Sequence, residues 1–292
     1  MKFKDNSIPS VFEYYLLQLT DLYPPNEIRS LVKMILESRL GYSSEYIAVH
    51  PETRLSESEM LLLIGDAKEL KTGKPIQYIL GECSFMDLVI SVNNNVLIPR
   101  QETEELVNWI LQSTDLHSPK VLDIGTGSGC IALALKSKLK KAEVSAMDKS
   151  TSALEVASEN ARRLKSKIQF IQGDIAQLSL LQFPDLFDIV VSNPPYVMRS
   201  ESDQMHKNVI EHEPEEALFV PDTDALIFYK AITDFCNKYL KPGGHLYLEI
   251  NEKKAVEISR LLERQHFIKI EIKKDLNGKD RMIKAVLAQH PV

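Results

Sequence analysis

The chain has 292 residues, 44% of them hydrophobic, and a formal net charge of −6. That length fits one large domain plus a smaller one. The acidic balance argues against a protein that holds duplex nucleic acid mainly through phosphates, which calls for a basic surplus. No apolar run reaches the roughly 18 residues that cross a bilayer, so no membrane partner is expected. Met1–Ser10 is polar and does not read as a signal peptide. Three widely spaced cysteines, Cys83, Cys130 and Cys236, form no CxxC pair. Neither a disulfide framework nor a zinc site is expected, and a reducing cytoplasm is the simplest home.

Residues 1–80 read as a small helical bundle, a stability cap or a substrate-docking module. After Pro24-Pro25, Asn26 is placed to cap a helix carrying Ile28, Leu31, Val32 and Ile35 on one face. Ser56 and Glu59 have the spacing of a capping box ahead of Met60–Leu63. That helix should stop near Gly73, with Pro75 just beyond. From Cys83 to Ile98 the period falls to about two, and residues 81–100 read as a linking β-hairpin turning at Asn93-Asn94-Asn95. An acidic helix start follows at Gln101 and opens the large domain, residues 101–292.

From Lys120 strands and helices alternate. Val121–Ile124, Glu143–Met147, Ile168–Gln172 and Phe187–Ser192 read as strands. Cys130–Lys138, Ser152–Leu164 and Asp224–Tyr239 read as helices. After a turn at Lys241–Gly244 come a strand, His245–Ile250, a helix, Ala255–Gln265, and two closing strands near Ile268–Ile272 and Ile283–Leu287. Such alternation predicts an α/β fold with a mostly parallel sheet covered on both faces and an antiparallel edge.

Two segments carry chemistry. In the first, the strand ending Asp123-Ile124 runs into Gly125-Thr126-Gly127-Ser128-Gly129 and then a helix. Glycines let a ligand approach the backbone, and the helix start favours an anionic group. Asp148 ends the next strand, where a carboxylate accepts from ribose hydroxyls; the bland alternative is a solvated strand-end acid. A dinucleotide fingerprint needs a glycine at position 130, which is Cys. The loop instead resembles motif I of the class I methyltransferases. That resemblance implies that Gly125, Thr126, Gly127, Ser128 and Gly129 cradle the methionine part of S-adenosylmethionine. It further implies that Asp174 lies near the adenine with Ile175 packed on it.

The second segment is Asn193-Pro194-Pro195-Tyr196, at the end of the apolar strand Asp188–Ser192. Prolines fix φ and remove donors, and ligands of such sheets bind at strand C-terminal ends. An amide nitrogen is a poor nucleophile because its lone pair is delocalised. Two acceptors gripping its N–H bonds orient it for in-line transfer. The Asn193 side-chain oxygen and the Pro194 carbonyl are the acceptors expected, and Tyr196 offers a flat face to a planar group. The substrate set is therefore Asn193, Pro194, Pro195 and Tyr196, of which Asn193, Pro194 and Tyr196 are the catalytic candidates. Asn193 also borders the cofactor. The motif resembles that of methyltransferases acting on planar nitrogens, adenine N6 or glutamine N5, and does not separate them.

The wider chain resembles the HemK/PrmC family of release factor protein-(glutamine-N5) methyltransferases. The likeness is carried by Gly73–Gly81, Ile98–Val107, the glycine loop, Ser192–Tyr196, Glu213-Pro214 with Ala217-Leu218, and Lys274–Arg281. Asp222–Ala225 and Asn251–Lys254 depart from the family's usual glycines and glutamine. The resemblance implies a class I methyltransferase: a doubly wound, mostly parallel seven-stranded sheet with an N-terminal helical domain. It implies S-adenosylmethionine as cofactor, S-adenosylhomocysteine as product and no metal. The implied partner is a peptide chain release factor, methylated on the glutamine of its Gly-Gly-Gln loop. A cytoplasmic monomer with no direct nucleic-acid partner is expected. An adenine N6 methyltransferase on DNA or RNA is the alternative activity, and a nucleoside-binding regulator without turnover is the alternative class.

Overall fold

The computed structural model describes residues 3–289. They fall into two compact units: residues up to Glu82 with His206–His212, and Cys83–Met205 with the chain from Glu213 onward.

The first unit is helical: α1 (Ile8–Leu19), α2 (Pro25–Leu40), α3 (Ser44–Val49), α4 (Glu57–Lys71) and α5 (Ile76–Leu80). The capping box at α4 is present, with Ser56 accepting from the Glu59 backbone and Glu59 from the Ser56 backbone. At α2 the expected Asn26 cap is not made. Pro24 is the N-cap residue and Pro25 opens the helix with no side-chain cap. Proline suits that position because its fixed φ matches the helix and its missing N–H would be unsatisfied there anyway. Tyr15, Leu19, Ile28, Ile35, Leu36 and Leu63 are fully enclosed. Each stabilises the unit by about 1.5–3 kcal/mol on burial. The buried Tyr15 hydroxyl donates to the Leu63 carbonyl at 2.7 Å. Arg39 donates to both oxygens of buried Asp66 and to the Ile79 carbonyl, tying α2 to α4 and α5.

The second unit begins with β1 (Glu82–Phe85) and β2 (Leu88–Ser91), a two-stranded sheet. The expected hairpin exists, but its turn is Met86-Asp87, with Met86 at φ 53°. Asn93–Asn95 lies beyond the second strand, because asparagine's local hydrogen bonding suits any tight bend and does not single out a hairpin turn. Then follow α6 (Gln101–Ser113), β3 (Lys120–Ile124), α7 (Cys130–Lys138), β4 (Glu143–Asp148), α8 (Thr151–Arg163), β5 (Gln169–Gln172) and β6 (Phe187–Ser192). Two-residue strands β7 (Val197–Met198) and β8 (Phe219–Val220) come next in this unit with α10 (Glu215–Leu218), while α9 (Lys207–His212), between them in the chain, belongs to the first unit. The chain closes with α11 (Ile227–Tyr239), β9 (Leu240–Glu249), α12 (Ala255–Arg264), β10 (Phe267–Lys274) and β11 (Asp280–Leu287).

The main sheet has seven strands in the order β10-β11-β9-β6-β3-β4-β5. From β9 to β5 the neighbours are parallel, and β11 pairs antiparallel with both β9 and β10. Helices cover both faces, so central strands are apolar on each side. Leu122, Val190 and Leu246 pack with α11 and α12 residues such as Ile232 and Ile258. Lys241–Gly244, expected as a turn, forms a bulge within β9: Phe187 and Ile189 of β6 pair with Leu240 and His245.

The register positions the site. Ile124 of β3 pairs with Ser192 of β6 and with Met147 of β4. Ser192 also pairs with Leu248 of β9, and Asp148 with Gln172 of β5. Gly125, Asn193, Glu249, Asp148 and Gly173 therefore leave neighbouring strands at the same, carboxyl edge of the sheet, where such sheets bind ligands.

Candidate active site

A cavity of about 410 Å³ opens at that edge, a size within the range of small-molecule sites. Gly125, Thr126, Gly127 and Ser128 form one wall. Gly125 and Gly127 have φ of +70° and +53°, and nothing lies within 4 Å of where their Cβ atoms would be. The loop thus presents bare backbone to the cavity. Gly129 does not line it. With φ +82°, it lets the start of α7 approach α8, where a Cβ would meet that of Ala157 at 3.1 Å.

Carboxylates hold the loop. Asp148 Oδ2 accepts from the Gly127 backbone at 2.9 Å and its Oδ1 from the Ser150 backbone at 2.9 Å. Each oxygen keeps acceptor capacity for a further donor in the cavity it lines. Asp123, fully buried beneath, accepts from Thr126 Oγ1 at 2.6 Å and from the Ala132 backbone. Burial pushes its pKa up to about 7 despite those bonds. Asp174 and Ile175 also line the cavity. Asp174 caps the 3₁₀ turn that follows, accepting from the Ala176 backbone at 2.9 Å, and Ile175 belongs to the core.

Asn193, Pro194 and Pro195, leaving the strand next to that of the glycine loop, also line the cavity and are joined by trans peptide bonds. Ser192, just before them, donates to the Ile124 carbonyl at 2.7 Å and fastens β6 to the glycine-loop strand. The Asn193 Nδ2 donates to Thr103 Oγ1 on α6 at 3.1 Å, and Thr103 donates to Glu249 Oε2 at 2.7 Å. Tyr196 is not among the cavity-lining residues. Its hydroxyl donates to the other Glu249 oxygen at 3.0 Å, and burial together with that carboxylate raises its pKa well above the usual value. Glu249 itself is buried, and desolvation pushes its pKa up to about 7 against the lowering effect of Thr103, Tyr196 and Arg281.

The family resemblance puts Arg100, Glu102 and Thr103 near the pocket, without a catalytic role, but the sequence reading does not find Glu249 as the partner of Thr103. One signal was present: Glu249 ends the apolar run Leu246–Leu248, where burial of an acid demands partners. Glu213, also buried, accepts from the Ile98 backbone at 3.1 Å and pairs with Arg100, fixing the Val96–Arg100 wall of the cavity. The two segments that depart from the family pattern make bonds of their own. Asn251 donates to the Tyr196 carbonyl at 3.2 Å and to Glu201, which also pairs with Lys253. Asp222 accepts from the Ser200 backbone and hydroxyl.

This sheet order, with a bare glycine loop and an Asn-Pro-Pro turn lining one cavity from adjacent strands, defines a class I methyltransferase that uses S-adenosylmethionine. The methyltransferase small domain model matches residues 102–218, and the PrmC N-terminal domain model matches residues 13–81. The chain is 43% identical over 274 residues to a release factor glutamine methyltransferase of Flavobacterium psychrophilum, covering 92% of this chain and 95% of that one. It belongs to the release factor glutamine methyltransferase family. A second relative of that name, from Bacteroides thetaiotaomicron, is 39% identical over 272 residues, 93% of this chain and 97% of its own. A methyltransferase from Pyrococcus furiosus shares the fold, with a TM-score of 0.52 at 15% identity over 80% of this chain and 100% of that one. Among the described residues no helix is long and apolar enough to cross a membrane.

Proposed function

We propose that this chain transfers a methyl group to the side-chain amide nitrogen, N5, of the glutamine in the Gly-Gly-Gln loop of peptide chain release factors. The observation that carries the reading is the polarity of the Asn193 carboxamide. Its NH₂ is committed to Thr103, which leaves its oxygen as an acceptor at the cavity Asn193 lines. With the Pro194 carbonyl, that oxygen takes the two N–H bonds of a primary amide and directs the nitrogen's weak lone pair. Pro195 continues the seat along the cavity, and Tyr196, which does not line it, supports the turn from behind through its bond to Glu249. The release-factor names of relatives similar over nearly the whole chain favour a protein amide over a nucleic-acid base.

S-adenosylmethionine would supply an electrophilic sulfonium methyl, which the nitrogen attacks as the C–S bond breaks with its electron pair left on sulfur, giving S-adenosylhomocysteine. Gly125–Ser128 would hold its methionine part, with Gly129 shaping the turn behind them, Asp148 its ribose, and Asp174 and Ile175 its adenine. Asn193 would also border the cofactor. No strong base is needed, because the alkylated nitrogen is acidic and loses its proton to water through the Asn193 and Pro194 acceptors. No metal enters the reaction. We place residues 1–80 as the release-factor docking domain, residues 81–100 as the linker and residues 101–292 as the catalytic domain of a cytoplasmic monomer.

The test incubates the protein with labelled cofactor and either a purified release factor or duplex and single-stranded nucleic acid. A one-methyl mass gain on the Gly-Gly-Gln peptide is expected. Label in the nucleic acid alone would overturn the reading in favour of adenine N6 transfer.

A further inference from the structure

The carboxamide of asparagine has two nearly isosteric ends, and only one orientation serves an acceptor role. We infer that Thr103 and Glu249 form a positioning relay that keeps the oxygen of Asn193, rather than its NH₂, turned to the reacting amide. This rests on the function proposed above.

The argument is one of proton count. An ionised carboxylate only accepts. Glu249 takes one hydrogen from Tyr196 at 3.0 Å and one from Thr103 at 2.7 Å. Thr103 has a single hydroxyl hydrogen, and it is spent on Glu249. Toward Asn193 it offers only lone pairs, and it receives the Nδ2 hydrogen at 3.1 Å. Turning the carboxamide over would set its oxygen against those lone pairs, losing a hydrogen bond inside a buried network. Thr103 is 2% exposed and Glu249 1%, so water does not step in to repair the mismatch.

The orientation depends on the charge of Glu249. A protonated Glu249 can donate to Thr103, which frees the Thr103 hydrogen for the Asn193 oxygen and reverses the preferred orientation. The groups facing Glu249 are Thr103 and Glu102 of α6, Tyr196 beyond β6, Tyr229 of α11, whose hydroxyl donates to the Glu249 carbonyl, and Arg281 of β11. Burial and Glu102 disfavour the charge, while Arg281 and the two hydroxyls favour it, leaving the carboxyl to titrate at about 7.

Two measurements on the full chain test this. The first follows the side-chain NH₂ resonances of Asn193, identified by their loss in Asn193→Asp, as pH crosses neutrality. They are expected to shift with the Glu249 carboxyl in the native protein and to stay fixed in Glu249→Gln. Resonances that ignore the Glu249 titration would overturn the relay. This arm needs no acceptor protein, so it decides the relay even if the release factor is not methylated. The second compares turnover. Thr103→Val and Glu249→Gln should lower kcat about ten- to hundredfold with cofactor affinity retained, Thr103→Ser should restore it, and the rise of kcat through neutral pH should vanish in Glu249→Gln. Native turnover in Thr103→Val would refute the proposal.

Discussion

Thr103 and Glu249 stand 146 positions apart in the chain and meet in a buried 2.7 Å hydrogen bond. The bond joins the first turn of α6 to the last residue of β9, and through Thr103 it reaches the Asn193 side chain at the cavity. The part of the cavity proposed for the substrate is thereby assembled from three distant parts of the chain.

Replacing Asn193 should separate binding from chemistry. Asn193→Ala removes one of two acceptors proposed for the target amide but leaves Gly125–Ser128 and Asp148 in place. A fall in kcat of about a hundred- to a thousandfold is expected, by analogy with losing one preorganised polar group. Cofactor affinity by calorimetry should change little. Equal losses in both would remove Asn193 from its substrate-orienting role.

Asp148→Ala should act the other way. It removes the acceptor proposed for the ribose and releases the Gly127 backbone bond. Hydrogen bonds to a charged group contribute about 1.5–3 kcal/mol each, so cofactor binding should weaken by roughly ten- to hundredfold. Unchanged binding in calorimetry would exclude the ribose assignment.

Glu249 makes a prediction about stability and pH. Its carboxyl is raised from 4.5 to about 7 in the folded protein. The native state therefore holds that proton more tightly than the unfolded chain does. Its stabilising contribution is complete below about pH 4.5 and is lost as pH climbs through about 7. Subtracting the unfolding free energy of Glu249→Gln from that of the native protein isolates this residue, since Asp123 contributes to both. The difference should fall between those two pH values. A flat difference would mean that Glu249 stays charged in the fold.

Gly129→Ala probes the turn into α7. The residue has φ +82° and a Cβ there would press on Ala157 at 3.1 Å. Left-handed strain at a non-glycine residue costs about 1–3 kcal/mol, so a lowered Tm is expected. The same change at Gly127, where nothing lies within 4 Å of the missing Cβ, should carry the backbone strain alone and be milder. A Gly129→Ala protein with native Tm would contradict the close α7–α8 approach.

The cavity wall proposed for the cofactor was open to sequence reading because its parts are local. The glycine loop, the strand before it and Asp148 fall within 28 consecutive residues, positions 121–148, and each follows from a backbone requirement. The succession of strands and helices and the mostly parallel sheet were equally readable from alternating periods, down to the antiparallel edge made by β10 and β11, whereas the order of the strands across the sheet was not. The α2 start was misplaced because Asn26 is a good cap by type, while a proline pair already sets the turn. The hairpin turn was misplaced because Met86 takes a positive φ that its side chain does not advertise. Glu249 was missed for a different reason. An acid ending an apolar run hints at burial, but its role shows only through its partners, and Thr103 and Tyr196 come from other elements of the fold.

The two parts of the cavity also differ in how their pieces are spaced along the chain. Residues 121–175 supply the proposed cofactor wall from neighbouring strands β3, β4 and β5. The proposed amide-facing wall requires α6, β6 and β9 to be seated together. A substitution that shifts α6 or β9 against the sheet would thus misalign the acceptor while leaving the site proposed for the methyl donor in place.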